Sequence, residues 1–182
     1  MPALRADAAR NRARILAAAD EVFAEQGAAA STEEVARRAG VAVGTVFRHF
    51  PTKQDLLVAI MKALLERMRE QAAALAGRDD GLFVLFRQLV EEASARTTVL
   101  ALLAEAGRDV DVQALTGLQD AVETLLQRGI RAGRIRAELD FGQVMALLHA
   151  VTQASLRGWD PVLREQVLTV VLDGMRAGTG RG

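Results

Sequence analysis

A chain of 182 residues, 51% of them hydrophobic and only three of them proline, is long enough to bury a sizeable core and carries few helix breakers. The absence of cysteine excludes disulfides and thiolate metal sites, and no apolar run reaches the roughly 18 residues that a membrane-spanning helix needs. Lysine and arginine total 23, as do aspartate and glutamate, so any contact with a polyanion depends on where charge sits rather than on its sum.

The first helix is predicted over about residues 8–26, where Ile15, Ala19, Val22 and Phe23 form one apolar stripe and Gly27 ends the pattern. Over residues 1–14, Arg5, Arg10, Arg12 and Arg14 stand against a single carboxylate, Asp7. Residues 1–53 hold eight basic and six acidic residues, so the remainder of this neutral chain carries the compensating negative excess. A basic end on a neutral protein predicts local contact with nucleic acid. Arg10 and Arg12 are the candidates for phosphate, or for a minor groove entered by an arm.

Ser31 stands three residues before Glu34, the spacing of a capping box, and opens a second helix carrying Val35, Ala36 and Ala39 on one face. Gly40 supplies the residue able to turn left-handed and stop it. A third short helix follows, with Val46 and Phe50 at i, i+4, and Pro51 ends it. Two short helices, a tight glycine-containing turn and small residues at the crossing describe a helix-turn-helix. Val43, Gly44, Thr45 and Arg48 fall on the outward edge of its second helix, with His49 and Lys53 at its end. No carboxylate lies between Glu34 and Asp55. Small residues allow close approach to base edges, and an arginine forks onto guanine or phosphate.

Thr52 and Asp55 form another capping pair, opening a fourth helix that runs to about Ala76. At about 1.5 Å per residue it is a rod of roughly 35 Å, suited to act as a lever between head and body. Five further helices are expected: about 80–95, 97–106, 111–132, 141–157 and 161–175. Asp109 and Asp111 sit in a capping loop, Asp140 pairs with Gln143, and Asp160-Pro161 makes a start signal. Ala177–Gly182 reads as a frayed tail. In the penultimate helix Ala146, Ala150, Ala154 and Gly158 recur every four residues. The last helix, with Leu168, Val171 and Leu172, is apolar nearly all round, more than one neighbour covers. These residues predict a homodimer packed through the last two helices.

Residues 10–57 resemble the N-terminal domain of TetR-type bacterial transcriptional regulators. The stretches that carry the likeness are RILAAADEVFAEQG, TEEVARRAGVAVGTVFRHF and PTKQDLL, with Ala39-Gly40-Val41, Gly44, His49-Phe50 and Lys53-x-x-Leu56 at matching spacings. The resemblance implies base or nearby backbone contacts from Val43, Gly44, Thr45 and Arg48, and phosphate contacts from Thr32, Phe47, His49 and Lys53. Two departures stand out: Ala42 replaces a usual hydroxyl residue, and Phe47 replaces a usual tyrosine. The first removes a helix cap or a phosphate contact, and the second a phenolic hydrogen bond to phosphate.

The expected class is therefore all-α, with about nine helices. Residues 1–53 form the helix-turn-helix DNA-binding domain and residues 54–182 a helical ligand-binding and dimerisation domain. The expected function is a ligand-responsive repressor of the cytoplasm that binds a near-palindromic double-stranded operator and is released by a small, largely apolar inducer. Met61, Met68, Phe83, Phe86 and Leu126 are candidate apolar walls, and Gln88, Gln119, His149 or Gln153 candidate polar groups. An architectural or partner-gated DNA-binding protein with no inducer is the alternative. No convergent nucleophile, base or metal set is visible, so no enzyme, cofactor or metal is expected.

Overall fold

The computed structural model describes residues 2–105, 112–156 and 159–178. Within them lie nine α-helices and no named strand: α1 Pro2–Gln26, α2 Thr32–Ala39, α3 Val43–His49, α4 Lys53–Leu75, α5 Gly81–Ala95, α6 Thr97–Glu105, α7 Val112–Arg131, α8 Phe141–Leu156 and α9 Pro161–Met175. None of the described helices is long and apolar enough to cross a membrane, and no described group of His, Cys, Asp or Glu is assembled to hold a metal. The α1 start lies earlier than the periodicity predicts. Pro2 stands at the first helical position, and Ala3, Leu4, Arg5 and Ala6, good helix formers, precede Asp7, a composition that extends a helix upstream. Gly158, Asp109 and Asp111, singled out in the sequence, lie outside the described residues.

The chain divides into two compact units. The first comprises Met1–Leu64 and Arg96–Asp111, the second Leu65–Ala95 and Val112–Gly182. This partition differs from the division at residue 53 in two ways. Helix α4 runs unbroken through the boundary and contributes residues to both units. Helix α6, assigned to the body from sequence, belongs with the N-terminal helices. Val99 and Leu103, at i, i+4, are buried, and α6 packs on α1 and on the short 3₁₀ turn Gly27–Ala29. Arg96 adds a fork onto Asp20, with Nε and Nη2 at 2.9 and 2.6 Å from the two carboxylate oxygens. Their side chains are only 12% and 25% exposed, so this pair escapes most of the screening that weakens surface ion pairs.

In the second unit α5 packs on α8 and α7, and α8 on α9, around Leu85, Phe86, Leu126, Val144, Leu168 and Met175. Both predicted caps form. Asp140 accepts from Gln143 N at 2.8 Å while Gln143 Oε1 accepts from Asp140 N, and Asp160 accepts from Val162 N and Leu163 N ahead of Pro161. Of the tail expected to fray, residues 179–182 lie outside the described residues, and Ala177 is tied. Ile135 and Arg176 form an antiparallel bridge, with Arg136 N donating to Met175 O at 3.1 Å and Ala177 N to Arg134 O at 3.0 Å.

At the start of α5 the packing leaves no room for a side chain. A Cβ at Gly81 would lie 2.8 Å from the Leu75 carbonyl oxygen and 2.9 Å from Leu125 Cδ2, whereas one at Gly174 would meet nothing within 4 Å. Gly81→Ala is therefore expected to lower unfolding free energy by about 1–3 kcal/mol through overpacking, and Gly174→Ala to change it by between zero and about +1 kcal/mol. Urea denaturation followed by circular dichroism checks both, and equal effects at the two sites would contradict the packing described.

Candidate nucleic-acid interface

The helix-turn-helix is built by burial on one side and by caps at its ends. Val35, Ala36, Ala39, Val46 and Phe50 are buried with Ile15, Val22 and Phe23 of α1. Ser31 Oγ accepts from Glu34 N at 3.2 Å. The reciprocal half of the predicted capping box is replaced: the Glu34 carboxylate takes hydrogen bonds from Arg37, Nε lying at 2.8 Å. Gly40 ends α2 at φ 63°, ψ 41°, a left-handed conformation that costs a side-chain-bearing residue free energy. Arg14 reaches across to donate to the carbonyls of Ala39 and Gly40. That guanidinium caps the turn from α1, a role with no signal in the sequence beyond a general excess of arginine.

With its inner edge fixed, α3 presents Val43, Gly44, Thr45, Phe47 and Arg48 outward. Gly44 and Arg48 are exposed, Val43 and Thr45 half-buried, and Phe47 is 43% exposed, a large apolar side chain left in water. Ala42 at the N-cap makes no side-chain cap hydrogen bond, as its lack of a hydroxyl requires. Nothing lies within 4 Å of where a Cβ at Gly44 would stand, so another molecule's backbone has free approach there. His49 is half-buried, its ring 6.3 Å from that of Phe50.

The basic residues separate into committed and uncommitted groups. Arg38 forks onto Glu25 at 2.6 and 2.7 Å, pinning α2 to α1. Hydrogen bonds from Arg38 hold Glu25 below the usual carboxylate range, and those from Arg37 do the same for Glu34, while both guanidiniums are raised in turn. Arg10 pairs with Asp7. Lys53, expected to hold phosphate, donates from Nζ to the carbonyls of Ala28 and Ala30 at 3.0 and 2.8 Å, with the Phe23 ring centroid 5.3 Å away. It therefore stitches the start of α4 to the 3₁₀ turn. Thr32 Oγ1 leans on Glu33 at 3.4 Å. Arg12 lies over the Phe50 ring at 5.2 Å without a carboxylate partner, and among the described residues Arg48 has none either.

The residues proposed from sequence for the second role and for the interface are sorted differently. Met68, Phe83, Phe86 and Leu126 are buried in the second unit, and Met61 is buried in the first. Gln88 is half-buried with Oε1 enclosed and lacking a donor, and Gln71, which the sequence reading missed, is in the same condition. Gln119 and His149 are corrections: both are exposed, as is Gln153. Leu118 and Val122 take the buried positions of α7 around Gln119. His149 shares the outer face of α8 with Ala146 and Ala150. Leu168 and Leu172 are corrected too, being buried in the core of their own chain. Val171 and Ala154 are half-buried, and the outward large apolar residues of α9 are Val162, Leu163 and Val170, 66%, 40% and 71% exposed.

Comparison with known proteins brings in independent information. The family described as bacterial regulatory proteins, tetR family, matches residues 15–60, and the description "Transcriptional regulator SbtR-like, C-terminal domain" matches residues 77–177. A crystal structure of a TetR transcription regulatory protein from Mycobacterium vanbaalenii superposes with a TM-score of 0.78 at 38% identity, covering 95% of this chain and 99% of that one. An HTH-type transcriptional regulator of Mycobacterium bovis, Mb3439c, is 32% identical, covering 84% of this chain and 74% of its own. The HTH-type transcriptional repressor KstR2 of Mycolicibacterium smegmatis is 25% identical over 94% of both chains.

The division of charges has a measurable consequence. Lys53→Met leaves two carbonyls without their donor and is expected to cost about 1–2 kcal/mol of stability, whereas Arg48→Ala is expected to stay within about 0.5 kcal/mol of the parent. Chemical unfolding distinguishes them, and a large loss from Arg48→Ala would mean that this guanidinium has a structural partner.

Proposed function

The chain belongs to the TetR family of bacterial regulatory proteins, and from that premise we propose that it is a homodimeric repressor reading a near-palindromic operator and released by a small, largely apolar molecule. The DNA-binding, ligand-responsive repressor is the function of this chain; operator symmetry, the inducer's chemistry and the contacting residues are the proposal. One observation carries it: α3 exposes Gly44, Thr45, Phe47 and an unpaired Arg48 along an edge free of carboxylates from Glu34 to Asp55. Arg48 forks onto guanine O6 and N7 or onto phosphate. Gly44 and Thr45 permit the approach, and Phe47 offers apolar contact to a thymine methyl or a sugar. His49, Thr32, Arg10 and Arg12 hold flanking phosphates. Lys53 contributes to phosphate only through the third proton of its ammonium, since two are directed to its own backbone.

An isologous pair formed through the outer faces of α8 and α9 supplies two recognition helices, with half-sites about one helical turn apart or slightly more. Ala146 and Ala150 support close approach, and Val162 and Val170 the apolar contact. The inducer site is assigned to the second unit among α4, α5 and α7. There the enclosed Gln71 and Gln88 carbonyl oxygens favour a molecule whose hydroxyl or amide donates to them, and they favour the ligand-responsive reading over a purely architectural one. A ligand that fits better when the heads are misplaced for the major groove lowers operator affinity, and DNA reciprocally lowers ligand affinity. Helix α4, which supplies residues to both units, is the covalent route for that coupling. Such a regulator works where the chromosome is, in the cytoplasm.

Selection from a random duplex pool is expected to enrich an inverted repeat, with Thr45→Ala plus Arg48→Ala weakening binding to it by about 100-fold. Salt-sensitive binding with no enriched site would overturn the sequence-specific reading. For the dimer, Val170→Glu is expected to shift sedimentation from dimer to monomer with helical content unchanged, and a persistent dimer in both Val170→Glu and Ala150→Glu would overturn the assigned interface.

A further inference from the structure

A cleft of about 430 Å³ in the second unit is lined by Arg78, Asp79, Asp80, Phe83, Arg134 and Arg176. Its volume falls in the range of small-molecule sites, and it shares only Phe83 with the residues assigned above. Three loop or terminal segments build it: the turn between α4 and α5, the turn after α7, and the end of α9. We propose that it is a binding site for a small oxyanion, a carboxylate or phosphate group, taken up by Arg134 and Arg176 beside Phe83.

The charges are arranged for that. Arg78 forks onto Asp80 with both contacts at 2.8 Å, and Arg128 reaches Asp79 at 3.0 Å from outside the lining. Arg176 uses Nε for Asp173 at 3.1 Å, while its guanidinium carbon lies 4.6 Å from the Phe83 ring centroid. Four guanidiniums thus meet three carboxylates, and the one left over is Arg134, which has no carboxylate partner among the described residues. Its field nonetheless reaches the cleft. Asp80 is held below the usual carboxylate range mainly by the hydrogen bonds from Arg78, and Arg134 adds to the lowering. With both cleft aspartates already neutralised by arginine, an incoming anion meets a net positive surface rather than bare carboxylates.

The backbone that carries the two arginines is also held in place before any ligand arrives. Arg134 O accepts from Ala177 N, Ile135 and Arg176 form the bridge, and Arg136 N donates to Met175 O, so the backbone at both positions is fixed by a short ladder. The flat Phe83 ring restricts the Arg176 guanidinium, leaving its Nη donors for the ligand, and an oxyanion between the two arginines gains charge-assisted hydrogen bonds from both. Occupancy would clamp three segments of the second unit together.

The test uses the full chain without DNA and therefore stands apart from the operator experiment. Calorimetric titration with inorganic phosphate, and separately with acetate, is done at ionic strength fixed with sodium chloride. Saturable binding of either anion at one site per chain is expected, about tenfold weaker in Arg134→Gln and in Arg176→Gln. Arg134→Lys is expected to retain part of it, and Arg131→Gln, which alters an exposed arginine outside the cleft, to leave it unchanged. No saturable binding of either anion by the parent chain, or equal weakening in Arg131→Gln, overturns the proposal.

Discussion

A helix of seven residues cannot hold its own direction, and the recognition surface of this protein is carried on one. In water an isolated helix of that length is marginal at best, so α3 exists only because its inner edge is buried. Val46 and Phe50 supply that burial, and the turn ahead of them is secured twice, by the left-handed Gly40 and by Arg14 on the carbonyls of Ala39 and Gly40. Every statement about which side chains meet DNA depends on this anchoring. Residues 46 and 50 lie inward, so residues 44, 45, 47 and 48 have to face away. A helix fixed on only one edge would rotate, and base readout needs its side chains held within a fraction of an ångström.

The same economy governs charge. Guanidiniums that pair inside the head cannot also grip phosphate at full strength, and the structure sorts them clearly. Arg38 and Arg37 serve the α1–α2 packing and the start of α2, Arg14 serves the turn, and Lys53 serves the junction with the 3₁₀ turn. Among the described residues, Arg48 and Arg12 remain without carboxylates. The chain thus reaches overall neutrality while leaving its free positive charge where a polyanion would dock, and the carboxylate-free interval from Glu34 to Asp55 is the sequence trace of that arrangement. In the proposed complex, the absent hydroxyls at Ala42 and Phe47 would place more of the grip on those arginines.

Local rules were legible, and long-range ones were not. Caps at Ser31, Thr52, Asp140 and Asp160 and the glycine stop at Gly40 follow from residues within four positions of one another, and each appears in the structure. The Arg96–Asp20 fork joins residues 76 positions apart, so nothing local marked α6 as part of the N-terminal unit. The engagement of Lys53 within its own chain is not legible in the sequence, because its carbonyl partners are backbone groups, invisible in any residue pattern. His149 and Gln119 are exposed rather than inward, because a polar residue between apolar ones fits either face of a helix until its phase is fixed. Gln71 was missed for the complementary reason, since only an enclosed oxygen without a donor distinguishes it from a solvated glutamine.

Phase is also what makes α9 instructive. Its run from Val167 to Leu172 is apolar nearly all round, which left its inner and outer faces undefined in the sequence. The fold resolves it by directing Leu168, Leu172 and Met175 into the core of the second unit and leaving Val162 and Val170 in water. A helix that satisfies its own core with one face and still exposes large β-branched side chains on another carries more apolar surface than its chain can cover. The neighbouring face of α8 offers alanines at 146 and 150, side chains too small to cover that surface themselves yet small enough to admit another helix. Excess apolar area on one helix beside a low ridge on the next is the arrangement a two-fold copy can use. In the proposed dimer a second chain would supply from outside the contact that the first chain's α9 lacks.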